Sequence, residues 1–137
     1  MKLGRRVVVV SLLASCLALA DSESDAADVM RRLATALAGD NAAAFLKSID
    51  PSMPGYAKLR TQIEALIGRA QVSSSISILE NQGDDSRRTL SVDWYIEIRS
   101  RGLGDQTEPR RRTVQCTLTK AGKTWRVVEL NPAGLFD

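Results

Sequence analysis

Hydrophobic and polar residues alternate strictly between Thr89 and Ile98. Leu90, Val92, Trp94, Ile96 and Ile98 fall on one side of an extended chain, and Thr89, Ser91, Asp93, Tyr95 and Glu97 on the other. A strand with one wholly apolar face needs a covering layer, and the preceding residues supply helices. Ala26, Val29, Met30, Leu33, Ala36 and Leu37 recur at helical spacing, with Ser22 or Ser24 as the N-terminal signal. Gly39 is placed to end this helix in the left-handed conformation. Asp40 is placed to cap a short second helix carrying Ala43, Phe45, Leu46 and Ile49, which Pro51 and Pro54 end. Tyr56, Leu59, Ile63, Leu66, Ile67 and Ala70 predict a third, amphipathic helix.

From Val72 the period becomes two. Val72, Ser74, Ile76 and Ile78 predict a first strand, followed by a turn over Asn81–Ser86 and then the central strand. Gly102–Pro109 reads as a loop, and Arg111–Lys120, with Val114, Cys116 and Leu118, as a third strand. Ala121-Gly122 suits a tight hairpin. Thr124–Leu130 is the fourth strand, with Trp125 and Val127 on one face and Val128 and Leu130 on the other. Asn131-Pro132 ends it and leaves a short tail. Three helices followed by four strands joined by short connections predict an α+β fold, with helices packed on a curved four-stranded antiparallel sheet.

The first twenty residues stand apart. Lys2, Arg5 and Arg6 precede an apolar run, Val7–Leu19, too short to span a bilayer, and small residues follow. That order is the layout of a signal peptide over residues 1–20, leaving a single domain over residues 21–137. Ala18-Leu19-Ala20 fits cleavage before Asp21, whereas Leu13-Ala14-Ser15-Cys16 fits a lipobox that would lipidate Cys16. The expected location is outside the cytoplasm, periplasmic or extracellular, with membrane attachment only through the signal or the lipid.

Removing this segment changes the charge. All 16 acidic residues lie at or beyond Asp21, and the 19 basic residues lose three, so the remaining chain is formally neutral. The basic excess that phosphate backbones call for is gone, and no nucleic-acid partner is expected. There is no histidine, which removes Ser-His-Asp and Cys-His catalysis and the usual zinc sites. No phosphate loop or calcium loop occurs, and neither a cofactor nor a metal is expected. Cys16 and Cys116 are the only cysteines, and Cys116 sits on an apolar alternation as a small core residue.

Two stretches carry a resemblance. Leu37-Ala38-Gly39-Asp40-Asn41-Ala42-Ala43-Ala44-Phe45-Leu46 is similar to the helix–Gly-Asp–helix opening of the NTF2-like superfamily, which includes ketosteroid isomerase and the SnoaL-like polyketide cyclases. Leu118-Thr119-Lys120-Ala121-Gly122-Lys123-Thr124-Trp125-Arg126-Val127 resembles its closing hairpin. The resemblance implies an NTF2-like cone, with a cystatin-like meander as the alternative. Pro51–Gly55 leaves no room for the extra strand or hairpin common in that group.

Enzymes of that group place a carboxylate base and a tyrosine or acid donor inside the cone. Asp93 and Glu97 lie opposite Trp94 and Ile96 and so are expected to face away from it, while Asp40 and Asp50 read as cap and turn residues. Tyr56, Trp94 and Trp125 are the candidates to line an apolar ligand pocket between helices and sheet. Arg99, Arg101, Arg110, Arg111 and Arg112 flank the long loop and form the candidate basic patch, suited to anionic lipid, cell-wall polymer or an acidic partner. Asp93, Tyr95, Glu97, Thr113, Gln115 and Thr117 make a polar outer face through which such domains dimerise. The expected function is a non-catalytic binding domain, holding a small apolar ligand in the pocket or an envelope protein on the sheet. The alternatives are an isomerase, dehydratase or cyclase in the same pocket, and a structural envelope lipoprotein.

Overall fold

The computed structural model describes residues 21–102 and 106–137; the signal-peptide segment and Cys16 lie outside the described residues. Helix α1 occupies 21–38, α2 Ala42–Lys47 and α3 Tyr56–Arg69. Strands β1 (Ala70–Gly83), β2 (Arg87–Ser100), β3 (Thr107–Ala121) and β4 (Thr124–Asn131) follow, and a 3-10 turn, Gly134–Phe136, closes the order. The strands form one antiparallel sheet in the order β1-β2-β3-β4, a curved meander with helices on one face.

The expected stripes supply the core. Ala26, Val29, Met30, Leu33 and Leu37 of α1 and Leu59, Ile63 and Leu66 of α3 pack against Leu90, Val92, Trp94, Ile96, Val114, Cys116, Leu118 and Val127. Ser74 of β1 has a polar role in this core, accepting the Trp94 indole Nε1–H at 2.9 Å.

The ends of elements differ from expectation for identifiable reasons. Ser22 lies inside α1 and is buried, so it is no cap. The left-handed residue after α1 is Asp40, at φ 55°, and not Gly39. The cap of α2 is then Asn41, whose side chain accepts the Ala44 N–H at 2.9 Å. Asp40 instead pairs with Arg101 at 2.8 Å. Strand β3 begins at Thr107, within the stretch expected to be loop.

Two features at the C-terminal end reorganise the core. The β3–β4 register pairs Thr117 with Glu129 and Leu118 with Val127, leaving Val128 as an extra bulged residue. The bulge returns Leu130 to the buried face with Trp125 and Val127, correcting the expected alternation. The tail is not a free end. Leu135 and Phe136 are each 1% exposed.

At the β1–β2 hairpin, Arg88 is buried and gives Nε to Asn81 Oδ1 at 2.8 Å and NH2 to the Asn81 carbonyl at 3.2 Å. Asn81 Nδ2 in turn donates to the Glu23 carbonyl, tying the hairpin to α1. Gly83 has φ 141°, and a Cβ there would lie 2.2 Å from the Arg87 carbonyl oxygen, so only glycine fits.

Candidate functional site

The space between helices and sheet is filled by aromatic rings. Phe136 packs edge-on against Phe45, with centroids 5.7 Å apart, and against Trp94 at 5.2 Å; Phe45 and Trp94 are 6.5 Å apart. Phe45 and Trp94 are fully buried. T-shaped contacts of this kind stabilise beyond simple area burial. Polar contacts fix the tail in place: Arg110 donates to the Leu135 carbonyl at 3.0 Å and to the Asp137 carbonyl, and Gln62 donates to the Asp137 carboxylate.

The three aromatic candidates therefore occupy different places. Trp94 and Trp125 both belong to the buried core and half-buried Tyr56 packs against its margin, while Trp125 also borders a groove on the far side. The carboxylates stay away from the interior. Asp93 accepts Arg111 Nε at 3.1 Å and NH2 at 3.0 Å, and the Tyr95 hydroxyl donates to Glu97 at 2.6 Å. That bond to Glu97 raises the Tyr95 pKa, and the Asp93 carboxylate raises that of Arg111. Asp50 is held below the usual carboxylate range by the hydroxyl and N–H of Ser52. Burial pushes the Cys116 thiol up to about 12, far from a reactive thiolate.

The five arginines are not gathered on one surface. Arg110 turns to the C-terminal turn and Glu108, Arg111 to Asp93 on the opposite sheet face, and Arg101 to Asp40. Arg112 bonds the Arg111 carbonyl. Arg110, Arg111 and Arg112 stand opposite Ile96, Tyr95 and Trp94, in the body of the sheet, while Arg99 sits at its end opposite Thr107.

A groove of about 920 Å³ lies between α1, α2 and the start of β4. One wall is a single face of α1, from Asp25 and Asp28 through Arg32 to Gly39. Asn41, Ala44 and Lys47 form the end, and Lys123–Arg126 the other wall. Four cations, Arg32, Lys47, Lys123 and Arg126, face two acids, Asp25 and Asp28. Asp28 is already paired with Arg31 at 2.9 Å. Trp125 is 5% exposed, and its indole Nε1 is buried with no acceptor; such an unpaired donor costs about 1–3 kcal/mol. Sequence reasoning identified Trp125 but not the groove, whose walls come from three separated segments.

No cluster of His, Cys, Asp and Glu suited to a metal occurs among the described residues. No helix among them is long and apolar enough to cross a membrane.

No protein-family model and no curated protein matches the chain. Solved structures do. An NTF2-like protein with a cystatin-like fold from Novosphingobium aromaticivorans superposes with a TM-score of 0.70 at 13% identity, covering 86% of this chain and 84% of that one. An NTF2-like superfamily protein from Salmonella enterica gives 0.65 at 11% identity, covering 81% and 89%. A candidate dehydratase of the NTF2-like family from Streptomyces avermitilis gives 0.67 at 5% identity, covering 80% and 94%. With the helix order, the meander and the closing hairpin, these likenesses establish that the chain has the NTF2-like fold.

Proposed function

We propose that this chain is an exported, non-catalytic binding domain that works through its surface groove and not through the interior of its cone. The observation that carries this reading is the packed cluster of Phe45, Trp94 and Phe136, which occupies the space an interior ligand would need. The same cluster argues against the apolar carrier and against an isomerase, dehydratase or cyclase sharing that pocket. An inward carboxylate with a second donor would support catalysis, but Asp93 and Glu97 are engaged on the other face. Export rests on the basic, apolar and small-residue order of the first twenty residues.

Dye binding by the folded protein tests the closed interior. Anilinonaphthalene sulfonate should show no enhanced emission with the native chain and should gain it with Phe136→Ala. Strong native enhancement, or an apolar molecule co-purifying at one per chain by native mass spectrometry, would return the ligand to the interior. Intact mass from soluble and membrane fractions tests export. A chain beginning at acylated Cys16 is a tethered lipoprotein, one beginning at Asp21 is free, and an uncleaved chain found only in the cytoplasm refutes export.

A further inference from the structure

The groove has a property that its charge alone does not give. Strand β4 is an edge strand. At Val127 that edge is already covered: the Val127 N–H donates to the Ser48 carbonyl at 2.9 Å, and its carbonyl accepts the Asp50 N–H at 2.8 Å. This is a parallel bridge centred on Ile49. Backbone groups alternate along a strand, so Trp125, two residues earlier, turns its own N–H and carbonyl to the same edge. The chain in line with the bridge there is α2, whose backbone groups are turned into its own helix and do not pair with the edge. The Trp125 backbone groups meet no hydrogen-bond partner among the described residues.

Trp125 lies in one wall of the groove, and the α1 face opposite runs from Asp25 to Gly39, about 21 Å at helical rise. An extended chain of about six residues spans that length. Arg32, Lys47, Lys123 and Arg126 line it and form no ion pair among the described residues, against the acids Asp25 and Asp28, although the charge of Arg126 also acts on Asp50. We infer that the groove takes an extended acidic peptide segment. It adds to the β4 edge at Trp125 and places its carboxylates on Lys47, Lys123 and Arg126. Main-chain pairing supplies affinity, and the cations select the partner. The inference rests on the surface-binding reading above and names its ligand class.

The test is selection of random peptides of about eight residues, displayed on phage, on the full chain. Selected peptides should be rich in Asp and Glu. By fluorescence polarisation, their binding should weaken about tenfold on the double change Lys47→Glu and Arg126→Glu, with the circular dichroism spectrum unchanged. N-methylation of the central peptide amides should abolish it, because strand addition uses those N–H groups. Three results overturn the inference: selected peptides without acidic enrichment, equal binding to the charge-reversed chain, or binding indifferent to N-methylation. Full displacement by stoichiometric inorganic phosphate would also overturn it, marking a simple anion site. Any of these with the interior still closed to anilinonaphthalene sulfonate removes the peptide and leaves the surface reading standing.

Discussion

Phe136→Ala tests whether the C-terminal turn is part of the core. Phe136 is 1% exposed and touches two other buried rings. A buried phenylalanine covers about 150–250 Å² of apolar surface, and at about 25 cal/mol per Å² its burial stabilises by about 4–6 kcal/mol, an upper figure because denatured chains already bury some of it. Measured truncations of core phenylalanines to alanine cost about 3–5 kcal/mol. Here the short turn that carries the ring can settle partly into the space, which favours the low end, about 3 kcal/mol. With a urea dependence of about 1.5 kcal/mol/M, the unfolding midpoint falls by about 2 M. The assay is urea unfolding followed by far-ultraviolet circular dichroism and by tryptophan emission, since Trp94 lies 5.2 Å from the lost ring. Phe136→Leu keeps most of the volume and should lose about 1 kcal/mol. A midpoint shift under about 0.5 M for the alanine variant would refute the argument, because a core ring cannot be removed so cheaply.

Asn41→Ala removes the side-chain acceptor for the Ala44 N–H and should cost about 1 kcal/mol in the same unfolding assay; no loss would mean the cap is not formed in solution. Gly83→Ala forces a Cβ to 2.2 Å from the Arg87 carbonyl at a φ of 141°, so it should destabilise by about 1–3 kcal/mol, whereas Gly68→Ala, with open space at its Cβ, should be stabilising by about 1 kcal/mol. Cys116 should resist iodoacetamide in the native state and react on unfolding. Its thiol ionises near 9.0 when unfolded and is pushed to about 12 by burial. The unfolded chain therefore releases this proton first, so stability is intact below about pH 9 and falls as pH rises from there toward 12. Cys116→Ala should flatten that alkaline decline, and an unchanged slope would assign it to other groups.

Much of the fold was legible because burial writes periodicity into the chain. The α1 stripe from Ala26 to Leu37 and the alternation from Leu90 to Ile98 are buried as the spacing requires. What escaped lies where periodicity breaks. The Val128 bulge shifts the register by one, so Leu130 reads as outward until pairing with β3 is seen. Phe136 follows a proline and a glycine with no repeat on either side, so nothing local marks it as core. Gly39-Asp40-Asn41 holds three residues suited to a helix boundary, and propensity did not choose among them. The site was less legible still. Composition marked Trp125, but the cations that face the same groove, Arg32 on α1, Lys47 on α2 and Lys123 in the hairpin, come together only through the packing.

The two tryptophans sit in opposite settings. In a cone that carries ligands, the ring at the centre of the sheet would border a void. Here Trp94 is enclosed by Phe45 and Phe136, and its one polar atom is satisfied by Ser74. Opening that place would require moving the tail against three polar contacts from Gln62 and Arg110 as well as losing the ring contacts. Trp125 is the opposite case. Its buried indole donor is unpaired, its backbone groups face the strand edge without a partner, and Arg32, Lys47 and Lys123 beside it form no ion pair among the described residues. Buried polar groups are normally paired because leaving them unpaired costs free energy. An added partner has the most to contribute where backbone groups and charges lack one, and on the reading proposed above that place is the β4 edge and not the interior.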